Sequence, residues 1–211
     1  NKAYKPELSK NFRLTKDLDL SKDTKLRNIG RSGNYESNPL FKGNFDGNGH
    51  TIRNANLNEG GIFSNIDTNA SVRNLTIENA SVSAKSTEYP GILASKNLGT
   101  IENCRVINSN INSSQSGTGG FVGQNAGTIS KSSVINTNVS AEKSMQVGGF
   151  AGFNGYAGKV GTIDQCFADA NVSGKMNVGG FVGKAAKGNI SKSYAIGSIK
   201  ANSNEKISGF A

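Results

Sequence analysis

The chain has 211 residues, 24 Lys and Arg against 15 Asp and Glu for a net charge of +9, 35% hydrophobic residues and no Trp. That leaves room for one domain or two small ones. The bases are mostly Lys with no aromatics interleaved for base stacking, which argues against nucleic acid, and no stretch is long or apolar enough to enter a membrane.

The 27 glycines, and about as many asparagines, supply residues that tolerate positive φ and populate turns. Apolar residues rarely recur at helical spacing over a long window, so helices are not expected. The Lys surplus reads as a solvated surface.

The first section, residues 1–58, is atypical. "NFRLTKDLDLS" (Asn11–Ser21) alternates Phe12, Leu14, Leu18 and Leu20 with polar residues. "PLFKGNFDGNGHTI" (Pro39–Ile52) carries Phe41, Phe45 and a turn, and His50, the only histidine, sits in that turn. We read these residues as an N-terminal cap plus a first rung.

From residue 59 to residue 211 the chain repeats. Gly61, Gly91, Gly120, Gly149, Gly180 and Gly209 open related phrases at intervals of 29 to 31 residues: "GGIFSN", "PGILAS", "GGFVGQN", "GGFAGFN", "GGFVGKA" and "SGFA". A second phrase follows each of the first five: "ASVRNLTI", "GTIENCRV", "GTISKSSV", "GTIDQCFA" and "GNISKSYA". A third, such as "SNI" or "TNV", closes the unit. Three short extended segments in about 30 residues leave no room for a crossover helix. The expected fold is all-β: a right-handed parallel β-helix, or solenoid, with three short strands per rung and one domain overall.

Columns across the repeat set the register. Ile52, Val72, Ile101, Ile129, Ile163 and Ile190 align, then Ala55, Leu75, Cys104, Ser132, Cys166 and Ser193. Next come Leu57, Ile77, Val106, Val134, Ala168 and Ala195, and in the third phrase Val82, Ile111, Val139, Val172 and Ile199. These should point inward and stack about 4.8 Å apart. Cys104 and Cys166 then stand two rungs apart, roughly 9.6 Å, beyond the ~7 Å reach of a disulfide. Two buried free thiols are expected. In the first phrase the neighbouring columns Ile62, Ile92, Phe121, Phe150, Phe181, Phe210 and Phe63, Leu93, Val122, Ala151, Val182 are both apolar. Either the chain bends there and both turn inward, or another domain covers one; the glycine pairs favour the bend.

The glycines of "SGTGGFVGQNAGTI" (Ser116–Ile129) imitate a phosphate loop. A Walker loop needs Lys–Ser/Thr after its last glycine and then a helix, whereas Gln124 and Asn125 follow here. The cysteines form no metal motif and one histidine cannot assemble a zinc site. No catalytic, cofactor or metal residue is assigned. Glu102 and Asp164 share an outward column with Ser130 between them, the nearest approach to a glycosidase pair. The acceptor-like triplets "NLT", "NAS", "NSS" and "NVS" read as turn chemistry. The insertion "NGYAGKVG" (Asn154–Gly161) offers Tyr156 and Lys159 as binding candidates on a loop edge.

"GGFVGQNAGTI", "GGFAGFN…GTI" and "GGFVGKAAKGNI" resemble the GLUG repeat of bacterial surface proteins. With "FRLTKDLDLS…FKGNFDGNGHTI" the whole, from about Phe12 to Ala211, is similar to the non-catalytic region of streptococcal zinc metalloproteases of the immunoglobulin A protease type. The resemblance implies a secreted or wall-attached bacterial protein whose HExxH peptidase, with its zinc, lies elsewhere on a longer parent continuing past Ala211. It implies a spacer or recognition role toward an immunoglobulin, another host glycoprotein or other domains of the parent, as a monomer. An adhesin stalk and a glycan-active β-helix enzyme are the alternatives.

Overall fold

The computed structural model describes residues 8–23, 26–30, 40–203 and 206–211. Pro39 and the other residues between these ranges lie outside the described part of the cap section. The described residues form 24 strands and no helix. The strands make three sheets, wound in about six turns of roughly 29 residues.

One face of the solenoid is built from Phe63–Ile66, Ala94–Asn97, Val122–Asn125, Ala151–Asn154 and Val182–Ala185, the strands of the first phrase. The second is a seven-stranded sheet that includes Ser71–Arg73, Thr100–Glu102, Thr128–Ser130 and Gly161–Asp164. The third is twelve-stranded and has two limbs. Its limbs are separate strands in one coil, Arg105–Ile107 and Asn110–Ser113, and fuse in the next two as Ser133–Gly148 and Phe167–Gly179. Neighbouring coils pair in parallel on every face, as in Ala94↔Val122, Ile101↔Ile129 and Val106↔Val134.

The second phrase bends midway. Asn74, Asn103, Lys131, Gln165 and Lys192 take φ of 54, 51, 50, 53 and 45°, and a second ladder at Asn54, Asn79, Asn108 and Asn136 takes 60, 53, 50 and 47°. Asparagine dominates because its short polar side chain tolerates the left-handed region. These corners explain why Ile101, Cys104 and Val106 all point inward although they are spaced by three and then two. A flat strand would send Ile101 and Cys104 to opposite faces.

The inward columns are buried through the middle coils, at Val72, Ile101, Ile129 and Ile163; Leu75, Cys104, Ser132 and Cys166; Ile77, Val106, Val134 and Ala168; Val82, Ile111, Val139 and Val172, while Ile190, Ser193, Ala195 and Ile199 of the last coil are half-buried. In the first coil the expected alignment shifts by one segment. Ile52 pairs with Ile77 and Leu57 with Val82, while Phe45 is the residue that lines up with Val72. Phe45 stands 27 residues before Val72, close to the repeat, and Ile52 only 20; the turn "DGNGH" adds two residues between Phe45 and Ile52 that the step from Val72 to Ile77 lacks. The opening strands Phe12–Arg13 and Leu18–Asp19 pair directly with Asn44–Asp46 and Thr51–Arg53, so the atypical section is itself wound into the solenoid.

Both apolar columns of the first phrase turn inward. Ile92, Phe121, Phe150 and Phe181 are fully buried, and so are Phe63, Leu93, Val122, Ala151 and Val182. The amides of Phe121 and Val122 both donate to the carbonyl of Phe150, 2.9 and 3.1 Å away, which fixes the bend. The glycine pair is required here for space: a Cβ on Gly120 would overlap the carbonyl of Gly149, and one on Gly149 the carbonyl of Gly180.

Both cysteines are free and buried, with Ser132 between them in the column; its hydroxyl accepts from the Cys104 amide at 3.1 Å. Burial pushes both thiols up to about 12.

Candidate functional site

The outward side of the first face carries one residue per coil: Asn65, Lys96, Gln124, Phe153 and Lys184, in register. Phe153 is thus an aromatic where its neighbours are polar. Right after its strand the inserted segment forms a two-residue hairpin. The Tyr156 and Lys159 amides each donate to the other's carbonyl at 3.0 Å, and Ala157 and Gly158 take φ of 49 and 84° between them. Positive φ at both central residues is the type I′ turn. It holds Tyr156 out at 43% exposure, with Lys159 across the hairpin.

Tyr156 is not alone. Tyr89, two coils earlier in the linker "STEYPG", lies 5.6 Å from Phe153 and 5.8 Å from Tyr156 between ring centroids, and Phe153 and Tyr156 are 6.1 Å apart. Interplanar angles of 79, 57 and 69° are the edge-on arrangements aromatic quadrupoles favour. The Tyr89 hydroxyl donates to that of Tyr156 at 3.5 Å. That bond first, then burial and the nearby Tyr156 and Glu88, push the Tyr89 phenol up to about 12. Lys96 Nζ sits 4.8 Å over the Tyr89 ring and 3.5 Å from Glu88.

The backbone beneath this cluster is a corner of the repeat: Tyr89, Gly117, Gln146, Asn177 and Lys206 stand in register with φ of 54, 75, 57, 52 and 54°. Tyr89 takes φ of 54° immediately before Pro90, a position where both the bulky side chain and the following proline favour extended backbone. Holding it costs on the order of 1–3 kcal/mol. Gly117 makes the space: a Cβ there would overlap the Tyr89 ring and stand 2.9 Å from the Phe153 ring.

Of the two residues singled out from the sequence, the structure therefore brings Tyr156 into an aromatic cluster and leaves Lys159 exposed beside it. Tyr89, Phe153 and Lys96 were missed. Phe153 had a signal, as the one aromatic in the column occupied by Lys96 and Gln124. Tyr89 stands at a fixed corner, two residues before Gly91 as Gly117 and Gln146 stand before Gly119 and Gly148, and is the aromatic among those corner residues.

Elsewhere the polar groups are engaged with one another. Lys131 Nζ is 2.9 Å from Glu102 Oε1, and this bond lowers the Glu102 pKa, opposite to the shift a general acid needs. Asp164 accepts from Ser191 Oγ at 2.6 Å. Asp17 accepts from the Thr51 amide at 3.1 Å, lies 3.1 Å from His50 Nδ1 and binds Arg53 at 2.9 Å, contacts that lower its pKa. Asn74 and Asn79 of the acceptor-like triplets occupy left-handed corners. Among the described residues no three His, Cys, Asp or Glu groups converge as a metal site.

Residues 143–173 and 174–200 each match the GLUG motif. Each GLUG match runs from the end of one coil through the glycine pair and round to the third face of the next. A protein named halomucin, from Haloquadratum walsbyi, is 35% identical over 92 residues, covering 41% of this chain and 1% of halomucin. The chain thus spans about 1% of the length of that curated relative. A suggested immunoglobulin A1 protease from Bacteroides ovatus superimposes with a TM-score of 0.61 at 18% identity, over 95% of this chain and 77% of that one. At that identity the likeness is one of fold.

Proposed function

We propose that this GLUG solenoid is a rigid spacer and recognition domain of a secreted or wall-attached bacterial protein of the immunoglobulin A protease-like kind, whose zinc peptidase is carried elsewhere on the parent. The observation that carries the reading is the uninterrupted inner column. In-register apolar ladders run from Phe45 to Ile190, so load passes along a continuous stack of parallel hydrogen bonds. A stack of this kind suits a part that holds two others apart. The shared fold of the suggested immunoglobulin A1 protease supports the choice of parent.

The test is to incubate the purified chain with immunoglobulin A, with and without zinc. Intact heavy chain is expected in both cases, and cleavage by the chain alone would sink the proposal. The likeness to halomucin favours a second reading as a structural stalk. An HExxH domain in the parent sequence decides for the first, and a wall-sorting signal without one decides for the second.

A further inference from the structure

We infer that the Tyr89–Phe153–Tyr156 cluster, with Lys96, Lys159 and Lys184 around it, is a binding site for an anionic sugar of a glycan.

Three features point to a ligand and to this class. First, the cluster is local and built at some cost. It needs an inserted hairpin, a tyrosine held at φ 54° before a proline, and a glycine at position 117 that a Cβ would close off. The left-handed corner itself belongs to the repeat and recurs at Gly117, Gln146, Asn177 and Lys206; what occurs in one place only is the inserted hairpin and an aromatic side chain at that corner.

Second, the rings offer flat, partly exposed faces at angles to one another, with hydroxyls on two of them. An aromatic face receives the apolar C–H side of a pyranose, while phenol hydroxyls and lysines bond its substituents. Amphipathic rings of this kind serve binding because one end is apolar and the other wet.

Third, the charge around the rings is positive. Lys96 is matched by Glu88. Lys184, the register partner of Phe153, and Lys159, beside Tyr156, are both exposed. Neither has an acidic partner among the described residues. Two uncompensated ammonium groups beside an aromatic platform complement a sugar bearing a carboxylate or a sulfate. A neutral sugar would leave them unused.

The proposal stands apart from the spacer reading: a rod that binds no sugar is still a spacer, and cleavage of immunoglobulin would not alter a sugar-binding result. The chain lacks Trp and two of its five tyrosines are in this cluster, so tyrosine fluorescence follows the site when Tyr156→Ala serves as the control for the other three. Titrations would use sialyllactose as the carboxylated probe, a sulfated galactoside, neutral lactose, and poly-glutamate as an acidic peptide.

Saturable binding of sialyllactose or the sulfated sugar, at least about tenfold tighter than lactose and weakening with salt, is expected. Which of the two binds identifies the anionic group. Tyr156→Ala and Phe153→Gln should each lower affinity about tenfold. Gln124 already occupies the equivalent position one coil earlier, so Phe153→Gln keeps the fold, and circular dichroism checks that it does. Lys159→Glu should abolish the preference over lactose. No saturable response to either anionic sugar overturns the inference. So does lactose binding equally well, or poly-glutamate binding that survives Tyr156→Ala.

Discussion

The two ends of the solenoid solve the same packing problem differently. From Phe121 onward the rings of one column lie flat on each other: Phe121–Phe150, Phe150–Phe181 and Phe181–Phe210 are 4.6, 4.9 and 4.9 Å apart with interplanar angles of 10, 18 and 11°. In the opening coils Phe12–Phe41, Phe41–Phe63 and Phe45–Phe63 sit at 6.3, 5.3 and 5.3 Å with angles of 41, 53 and 81°. The later coils place the same backbone position over itself at each turn, so ring spacing copies strand spacing. The early coils bring aromatics to the core from different faces, where isolated bridges such as Ile29↔Phe63 and Phe41↔Ile66 replace a ladder. Stacking is a consequence of register, and where register is loose the rings fall back to the tilted geometry they prefer.

The largest expected effect tests that difference. Phe150→Ala removes a ring with a neighbour on each side and should cost about 3–5 kcal/mol in urea unfolding. A double-mutant cycle of Phe121 and Phe150 should give a coupling of about 0.5–1.5 kcal/mol. The cycle of Phe41 and Phe63 tests whether a tilted pair matches it. A vanishing coupling in the stacked pair would mean that the stack merely records the register and adds nothing to it.

The buried polar ladder gives a smaller effect and a sharper contrast. Asn97, Asn125 and Asn154 are fully buried, and their amides bond in series: Asn97 Nδ2 to Asn125 Oδ1 and Asn125 Nδ2 to Asn154 Oδ1, both 2.9 Å. Asn136 Nδ2 donates to Asn108 Oδ1 at 2.8 Å at an exposed corner. Asn125→Ala leaves buried partners unsatisfied and should cost about 1–3 kcal/mol. Asn136→Gly keeps the left-handed corner and should change stability by no more than about 0.5 kcal/mol. Equal losses at the two sites, measured by thermal unfolding, would refute the assignment of the stabilising role to burial.

Much of this architecture was legible because the repeat is written in glycines and β-branched residues whose spacing hardly drifts. The columns through Ile101, Cys104, Val106 and Ile111 hold in three dimensions, and so does the separation of the two thiols. The spacing of three and then two already implied a corner at Asn103, since no flat strand points both Ile101 and Cys104 inward. Two things were not legible. In the first coil the phrase "TIRN" at Ile52 imitates "SVRN" at Val72 and hides the 27-residue step that leads from Val72 back to Phe45. The aromatic cluster could not be assembled, because Tyr89 and Tyr156 are 67 residues apart and Tyr156 sits on an inserted hairpin with no counterpart in the neighbouring coils. A periodic sequence announces its core, which recurs, and conceals a site that occurs once.

The smallest expected effect lies in the cysteine column, where the repeat itself supplies the control. Cys104 and Cys166 alternate with Ser132 and Ser193, and each serine hydroxyl accepts from the cysteine amide one coil before it, at 3.1 Å. The position therefore accepts a small side chain of either polarity, and Cys104→Ser and Cys166→Ser should be nearly neutral at pH 7. Alkaline solution should separate them from the parent. Burial raises both thiols from 9.0 to about 12 in the folded chain. Between those values the unfolded chain releases protons that the folded chain retains, so stability falls as pH rises, by up to about 1.4 kcal/mol per pH unit per thiol. Tyr89, raised from 10.0 to about 12, adds to the same slope at its upper end. The double serine variant should lose the part that begins near pH 9 and keep the part contributed by Tyr89. An unchanged slope in that variant would mean that the thiols are reached by solvent and that the inner column is looser than its ladders imply.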